Sequence, residues 1–145
     1  MKCEFCTIHH PKEFWRGDHF FAIDSGSADF PCFIRLISCR HVKEMSELSQ
    51  MERRELHALL DAIERTLISE LNPDKVNYAQ FGNMTPHLHW HVIARWHNDR
   101  YFPESPWGQP QKDELPIETQ MRRTKTVNLL PHLKTALTLA SKQYD

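Results

Sequence analysis

His87-Leu88-His89-Trp90-His91-Val92-Ile93 is the stretch on which the reading of this chain turns. It is rich in β-branched and aromatic residues, and the run His87 to Trp96 reads as a strand. Side chains alternate faces along a strand, so His87, His89 and His91 share one face, each about 7 Å from the next. Leu88, Trp90 and Val92 take the other face and pack on a core. Each imidazole titrates near neutrality and can donate, accept or attack. Polar strand faces ordinarily use Thr, Lys, Glu and Ser, so three histidines in five residues mark a chemical surface. Two chemistries suit it: nucleophilic catalysis, and metal binding by His-x-His on a strand.

The chain upstream supplies the scaffold. His19 to Ile23 reads as a strand, Asp24 to Pro31 as a turn, and Cys32 to Ser38 as a second strand that can form a hairpin with the first. Ser49-Gln50-Met51-Glu52 fits a capping box. From there Leu56, Leu59, Leu60, Ile63, Leu67 and Leu71 recur on one face of a 3.6-residue period, which predicts a long helix. Asn72-Pro73-Asp74 stops it, because proline disfavours α geometry in the residue before it. Val76 to Phe81 alternates as a strand, Gly82 to Pro86 is a turn, and the histidine strand follows. Residues 98–119 read as a winding loop, and Leu129 to Tyr144 as a closing helix with Pro131 near its first turn. A helix between strand pairs predicts an α+β domain, its antiparallel meander sheet of about five strands covered by that helix.

Bulk properties limit the function. The 145 residues suffice for one domain with a real core, read as 1–145 with its core over about 3–107 and a C-terminal extension over 108–145. Lys and Arg total 18 against 19 Asp and Glu, a net charge of -1 that argues against a broad basic surface for DNA or RNA. No run approaches the roughly 18 apolar residues that span a bilayer. Met1 to Cys6 carries no apolar signal region, which predicts a cytoplasmic protein.

Cys3-x-x-Cys6 suits one turn gripping zinc, with two more ligands to be drawn from His9, His10, His41 and His87. The other reading is a pair of inert thiols in a reducing compartment. Cys32 and Cys39 read as small residues buried in or beside a strand. Arg122, Arg123 and Lys125 read as a solvated basic cluster, and His57 as surface or edge of core. No partner is legible for His19, His97 or His132.

The alternation His-Leu-His-Trp-His-Val-Ile, with Gly82-Asn83-Met84-Thr85-Pro86 before it and Ala94-Arg95 after it, resembles the histidine-triad (HIT) family. Asp24 after an aromatic strand and Arg40-His41-Val42 before the helix resemble it too, and the likeness runs from about Cys3 to Trp107. The resemblance implies a HIT-like fold and a nucleotide hydrolase or transferase acting at an α-phosphate. His89 would be the nucleophile, forming a nucleotidyl-histidine resolved by water, and His91 would contact the phosphate and assist proton traffic. Related transferases carry Gln in place of the last histidine, so His91 points to hydrolysis, of substrates such as dinucleoside polyphosphates or nucleoside phosphoramidates. Asp24 resembles the acid that binds ribose hydroxyls. Asn83 stands where many members have Gln, and the turn that carries it and Thr85 would face substrate. Trp107 reads either as a specificity residue or as a hydrophobic plug. Zinc-containing members imply a structural zinc on Cys3, Cys6, His41 and His87, with no catalytic cofactor. Family members commonly form homodimers through a continuous ten-stranded sheet. The alternatives are a metallohydrolase using His87, His89 and His91 as ligands, and a non-catalytic nucleotide-binding module.

Overall fold

The Ser49 hydroxyl accepts the Glu52 N–H at 3.1 Å, and the Glu52 carboxylate accepts the Ser49 N–H at 2.8 Å. This reciprocal cap starts α1, Gln50–Leu71, in the computed structural model, which describes residues 3–144. Asn72 ends it in the left-handed region at φ 47°, its N–H donating to the Ile68 carbonyl. The whole predicted stripe from Leu56 to Leu71 is buried.

Five strands form one antiparallel sheet: β1 Glu13–Arg16, β2 Phe20–Asp24, β3 Phe33–Ser38, β4 Lys75–Ala79 and β5 His89–Arg95. The sheet is a meander through its first three strands. Beyond them the order is β1-β2-β3-β5-β4, so the histidine strand lies inside the sheet and β4 forms an edge. Carrying the chain from β3 to that edge takes the length of α1. A second helix, α2, spans Thr119–Ser141. It begins ten residues before the sequence reading placed it, and Pro131 lies in its interior rather than in its first turn. Its early turns bury Arg122 and Thr126, polar residues that leave no apolar stripe to read.

Both helices cover the same face of the sheet. Leu129, Leu133 and Leu137 of α2 join the α1 stripe, Phe20 and Ala22 of β2, Ile34 and Leu36 of β3, and Val92 and Ala94 of β5 in one core. The residues extending past 107 therefore complete this core. The opposite face carries Phe21 and Ile23, then Phe33, Arg35 and Ile37, then His89, His91 and Ile93, in cross-strand register. No helix among the described residues is long and apolar enough to cross a membrane.

Candidate functional site

The helix-free face opens into a cleft of about 450 Å³. Arg35, His89 and His91 lie along it, flanked by Phe5 on one side, the 81–85 turn on the other, and Trp107. Gly82 makes that turn at φ +78°, a conformation that a side chain would strain.

Each triad histidine has a different second partner, and these partners fix its tautomer: Nδ1–H for His89, Nε2–H for His87 and His91. His89 Nδ1 lies 2.7 Å from the His87 carbonyl oxygen. A carbonyl only accepts, so Nδ1 carries the hydrogen and Nε2 keeps a lone pair. Burial lowers the His89 pKa, holding the ring neutral. His91 Nδ1 accepts from the Arg35 Nε–H at 3.3 Å, so its hydrogen is on Nε2. Burial, with His89 and Arg35 nearby, pushes the His91 pKa down to about 3. The rings of His89, Phe33 and Trp107 stand edge-on to it at 5.0, 5.4 and 5.0 Å.

His87 precedes β5 rather than opening it, and is fully buried. Its Nε2–H donates to the Ser38 carbonyl at 2.7 Å, which leaves Nδ1 as a lone pair. That nitrogen lies 3.4 Å from Cys3 Sγ, 3.5 Å from Cys6 Sγ and 3.1 Å from His41 Nδ1, and the last is 3.1 Å from Cys6 Sγ. The four ligand atoms lie within 4.8 Å of one another. Tetrahedral zinc, with Zn–N near 2.0 Å and Zn–S near 2.3 Å, requires N···N of about 3.3 Å and N···S of about 3.5 Å. The donor set thus fits zinc in type, number and spacing. Among the described residues this is the group of metal-ligating side chains that comes together; His89 and His91 are not part of it.

Phe5 connects the two sites. It sits between the cysteines in sequence, is buried against Phe21, Ile23 and Ile37, and meets the His89 ring at 5.1 Å and the His87 ring at 5.8 Å.

A sequence model of the HIT domain matches residues 11–98. The chain belongs to the HIT family. No curated protein matches it. Solved structures share the fold of this HIT domain. A histidine triad protein from Marinobacter aquaeolei aligns with TM-score 0.70 at 20% identity, covering 90% of this chain and 97% of that one. A Zn-bound histidine triad family protein from Mycobacterium smegmatis aligns with TM-score 0.62 at 17% identity, covering 99% and 98%. Plasmodium falciparum diadenosine triphosphate hydrolase aligns with TM-score 0.61 at 15% identity, covering 95% and 84%.

In this HIT domain the residues expected at the site divide. His89, His91, Asn83, Thr85 and Trp107 line the cleft, and Cys3, Cys6, His41 and His87 form the metal cluster. Trp107 packs on His91 and meets Phe81 at 4.9 Å, so it forms part of the cleft wall. Asp24 is not brought to the cleft. It pairs with Ile34, a core residue, and so points to the helix side of the sheet, where Arg123 of α2 grips it at 2.6 and 3.0 Å. Gly26 leaves room for that grip; a Cβ there would collide with the Arg123 guanidinium.

The reading of Arg122 and Arg123 as a solvated cluster is corrected by the same packing. Arg123 is held by Asp24, and Arg122 is buried, its guanidinium 4.4 Å from the Trp96 ring centroid. His19, His97 and His132 face Glu55, Asp74 and Glu70 respectively, carboxylates too distant in sequence to be paired with them by eye. Sequence reasoning missed Arg35 and Phe5. Arg35 carried a signal: a lone charge within the apolar run Cys32-Phe33-Ile34-Arg35-Leu36-Ile37.

Proposed function

We propose that this HIT domain is a nucleotide hydrolase that acts at an α-phosphate through a covalent nucleotidyl-histidine on His89. The observation that carries the reading is the His89 tautomer: Nδ1–H is committed to the His87 carbonyl, so the Nε2 lone pair is available in the cleft. A neutral imidazole with an oriented lone pair needs no prior deprotonation to attack phosphorus. In the first step the Nε2–P bond forms and the bond from phosphorus to the leaving group breaks. Water then attacks the same phosphorus, releasing the nucleotide and restoring His89. His91 Nε2–H donates a hydrogen bond to the reacting phosphate. The Asn83–Thr85 turn and Trp107 bound the remainder of the substrate. A relative in fold, the diadenosine triphosphate hydrolase, supports nucleotide anhydrides as one substrate class; nucleoside phosphoramidates are the other.

Zinc on Cys3, Cys6, His41 and His87 would be structural, since four protein ligands leave no position for water. Bound there, it would cross-link the N-terminal segment to the start of β5 and fix Phe5 against His89. The Zn-bound relative supports this assignment. The ligand directions do not favour a metallohydrolase: His87 Nδ1 turns to the cysteines and His89 Nδ1 to a carbonyl. The open edge at β4 suits a homodimer built by extending the sheet.

The test is a hydrolysis screen with dinucleoside polyphosphates and nucleoside phosphoramidates, with acid-labile trapping of the adduct. His89→Ala should abolish turnover and adduct while leaving the thermal melt unchanged. Normal turnover by that variant would refute the assignment.

A further inference from the structure

Arg35 is the charged side chain on this face without a hydrogen-bonded carboxylate; Glu4, on the same cleft, supports its charge only from beyond ion-pair distance. Along β5 the other cation of the row, Arg95, is balanced by Asp99. Arg35 instead lies between two apolar clusters, Phe5 with Phe21, Ile23 and Ile37 on one side, and Phe30, Phe33 and Ile93 with Tyr101 on the other. Its Nη1–H donates to the Ser25 hydroxyl at 3.2 Å and its Nε–H to His91 Nδ1 at 3.3 Å, and its Nη2 has no protein partner among the described residues. Half-burying a guanidinium whose hydrogen-bond acceptors are neutral costs stability, so the fold alone does not account for it.

The contact with His91 has a chemical consequence. A histidine acts as a general acid from its imidazolium form, which carries hydrogens on both nitrogens. An arginine stays protonated at any working pH. While its N–H points at Nδ1, that nitrogen cannot take the second proton. His91 is then confined to hydrogen bonding from Nε2. An amine leaving group must be protonated as the P–N bond breaks, and His91 held this way cannot supply the proton. A phosphate leaving group departs as a stable anion and needs none. Its new negative charge also develops in a cleft whose cation is Arg35, with Nη2 free to face it.

Resting on the hydrolase reading above, we infer that Arg35 is a positioning residue that makes this HIT domain selective for phosphoanhydride substrates over phosphoramidates. The step balances without a protein acid: the His89 Nε2–P bond forms, the P–O bond to the leaving phosphate breaks, and its electron pair leaves on that oxygen.

The experiment compares diadenosine triphosphate with adenosine 5′-phosphoramidate, which share the adenylyl group and differ in the leaving group. The full chain should show at least a tenfold higher kcat/KM on the anhydride. Arg35→Leu should collapse that ratio by tenfold or more, losing rate on the anhydride and gaining it on the phosphoramidate, with kcat carrying the change. Arg35→Lys, which keeps the charge but not the Nε–H fork, should fall between. Thermal melts should show Arg35→Leu at least as stable as the parent. A parent that prefers the phosphoramidate, or an Arg35→Leu variant that changes both rates by one factor, overturns the inference. Turnover of neither substrate by the parent would instead refute the hydrolase reading. The His91 protonation premise is tested independently of turnover by ¹⁵N NMR of the histidine rings with AMP bound. Arg35, His89, Phe33 and Trp107 are the groups facing His91. His91 should remain a neutral Nε2–H ring in the parent and protonate at measurably higher pH in Arg35→Leu, burial remaining the larger cause of its low pKa. An imidazolium in the parent at pH 7 would sink the proposal.

Discussion

Asp99→Ala should be among the most damaging single changes in this chain, although Asp99 touches no substrate. Arg95 is 1% exposed and Asp99 3%. The carboxylate takes Nε–H at 2.7 Å and Nη2–H at 3.1 Å from Arg95, and also accepts the backbone N–H groups of Tyr101 and Phe102 at 3.0 and 2.8 Å. Arg95 further donates to Asn77 Oδ1 and the Glu104 carbonyl. Removing the carboxylate leaves a buried guanidinium with only neutral acceptors and takes an acceptor from two backbone donors. Breaking a buried pair from one side costs about 3–5 kcal/mol. Against a total stability of about 5–15 kcal/mol for a domain, that is about a fifth or more. Urea unfolding at pH 7 measures it. Asp99→Asn, which keeps an acceptor for the N–H groups, should lose about half as much. The double variant Arg95→Met with Asp99→Leu should recover the part of the loss due to the stranded charge, though not the part due to the two backbone donors. The same network holds residues 99–104, which lead to Trp107, so Asp99→Ala should also change the tryptophan emission. A loss under about 1 kcal/mol for Asp99→Ala would refute the argument.

Purified protein should carry one zinc per chain by metal analysis. Cys6→Ser should lose it, lower the melting temperature by several degrees, and reduce turnover only in part, since the metal acts on His89 through Phe5; complete loss with an intact fold would point to a catalytic ion. His87→Ala should also lose the metal yet keep the backbone carbonyl that orients His89, so an adduct should still be trappable from it at reduced rate. Arg40, followed by the Ser49 N–H, holds the Glu52 carboxyl at about 2, down from 4.5. A depressed pKa contributes stability above the ordinary value that is lost as pH falls, so acid unfolding should draw on this pair between pH 4.5 and about 2. Arg40 is half exposed, and solvent reduces the contribution to about 1–2 kcal/mol. Glu52→Gln should flatten the acid limb by that amount in denaturant titrations.

The elements legible in the sequence are those whose evidence is local. The α1 stripe, its capping box and its Asn72-Pro73 stop each lie within a few residues, and the structure reproduces all three. The start of α2 escaped because its first turns bury the polar Arg122 and Thr126, and the partners of Arg122, Trp96 and Asn98, lie over 20 residues away. β1 escaped because four residues are too few to show alternation. Asp24 failed as a cleft residue through parity alone: one position along, Ser25 reaches the site side and holds Arg35. A strand end at which the chain could slip by one residue exchanges the two faces, and composition cannot say which residue wins.

The three triad histidines show why a motif can be read correctly while its division of labour stays hidden. In the sequence they are three equivalent imidazoles on one strand. In the structure the group that meets the second nitrogen of each ring sets what the first can do. A carbonyl at Ser38 leaves His87 with its Nδ1 lone pair free toward Cys3, Cys6 and His41. A carbonyl at His87 turns His89 into a base with Nε2 free. A permanently protonated arginine occupies Nδ1 of His91 and leaves it a donor at Nε2. Two of these partners are backbone atoms, which carry no sequence signature, and one of them belongs to the triad itself. His87 therefore serves both sites at once, its ring in the metal cluster and its carbonyl on His89. Of the three partners, Arg35 alone is a side chain, and so it is the point at which substitution can change the chemistry without changing the motif.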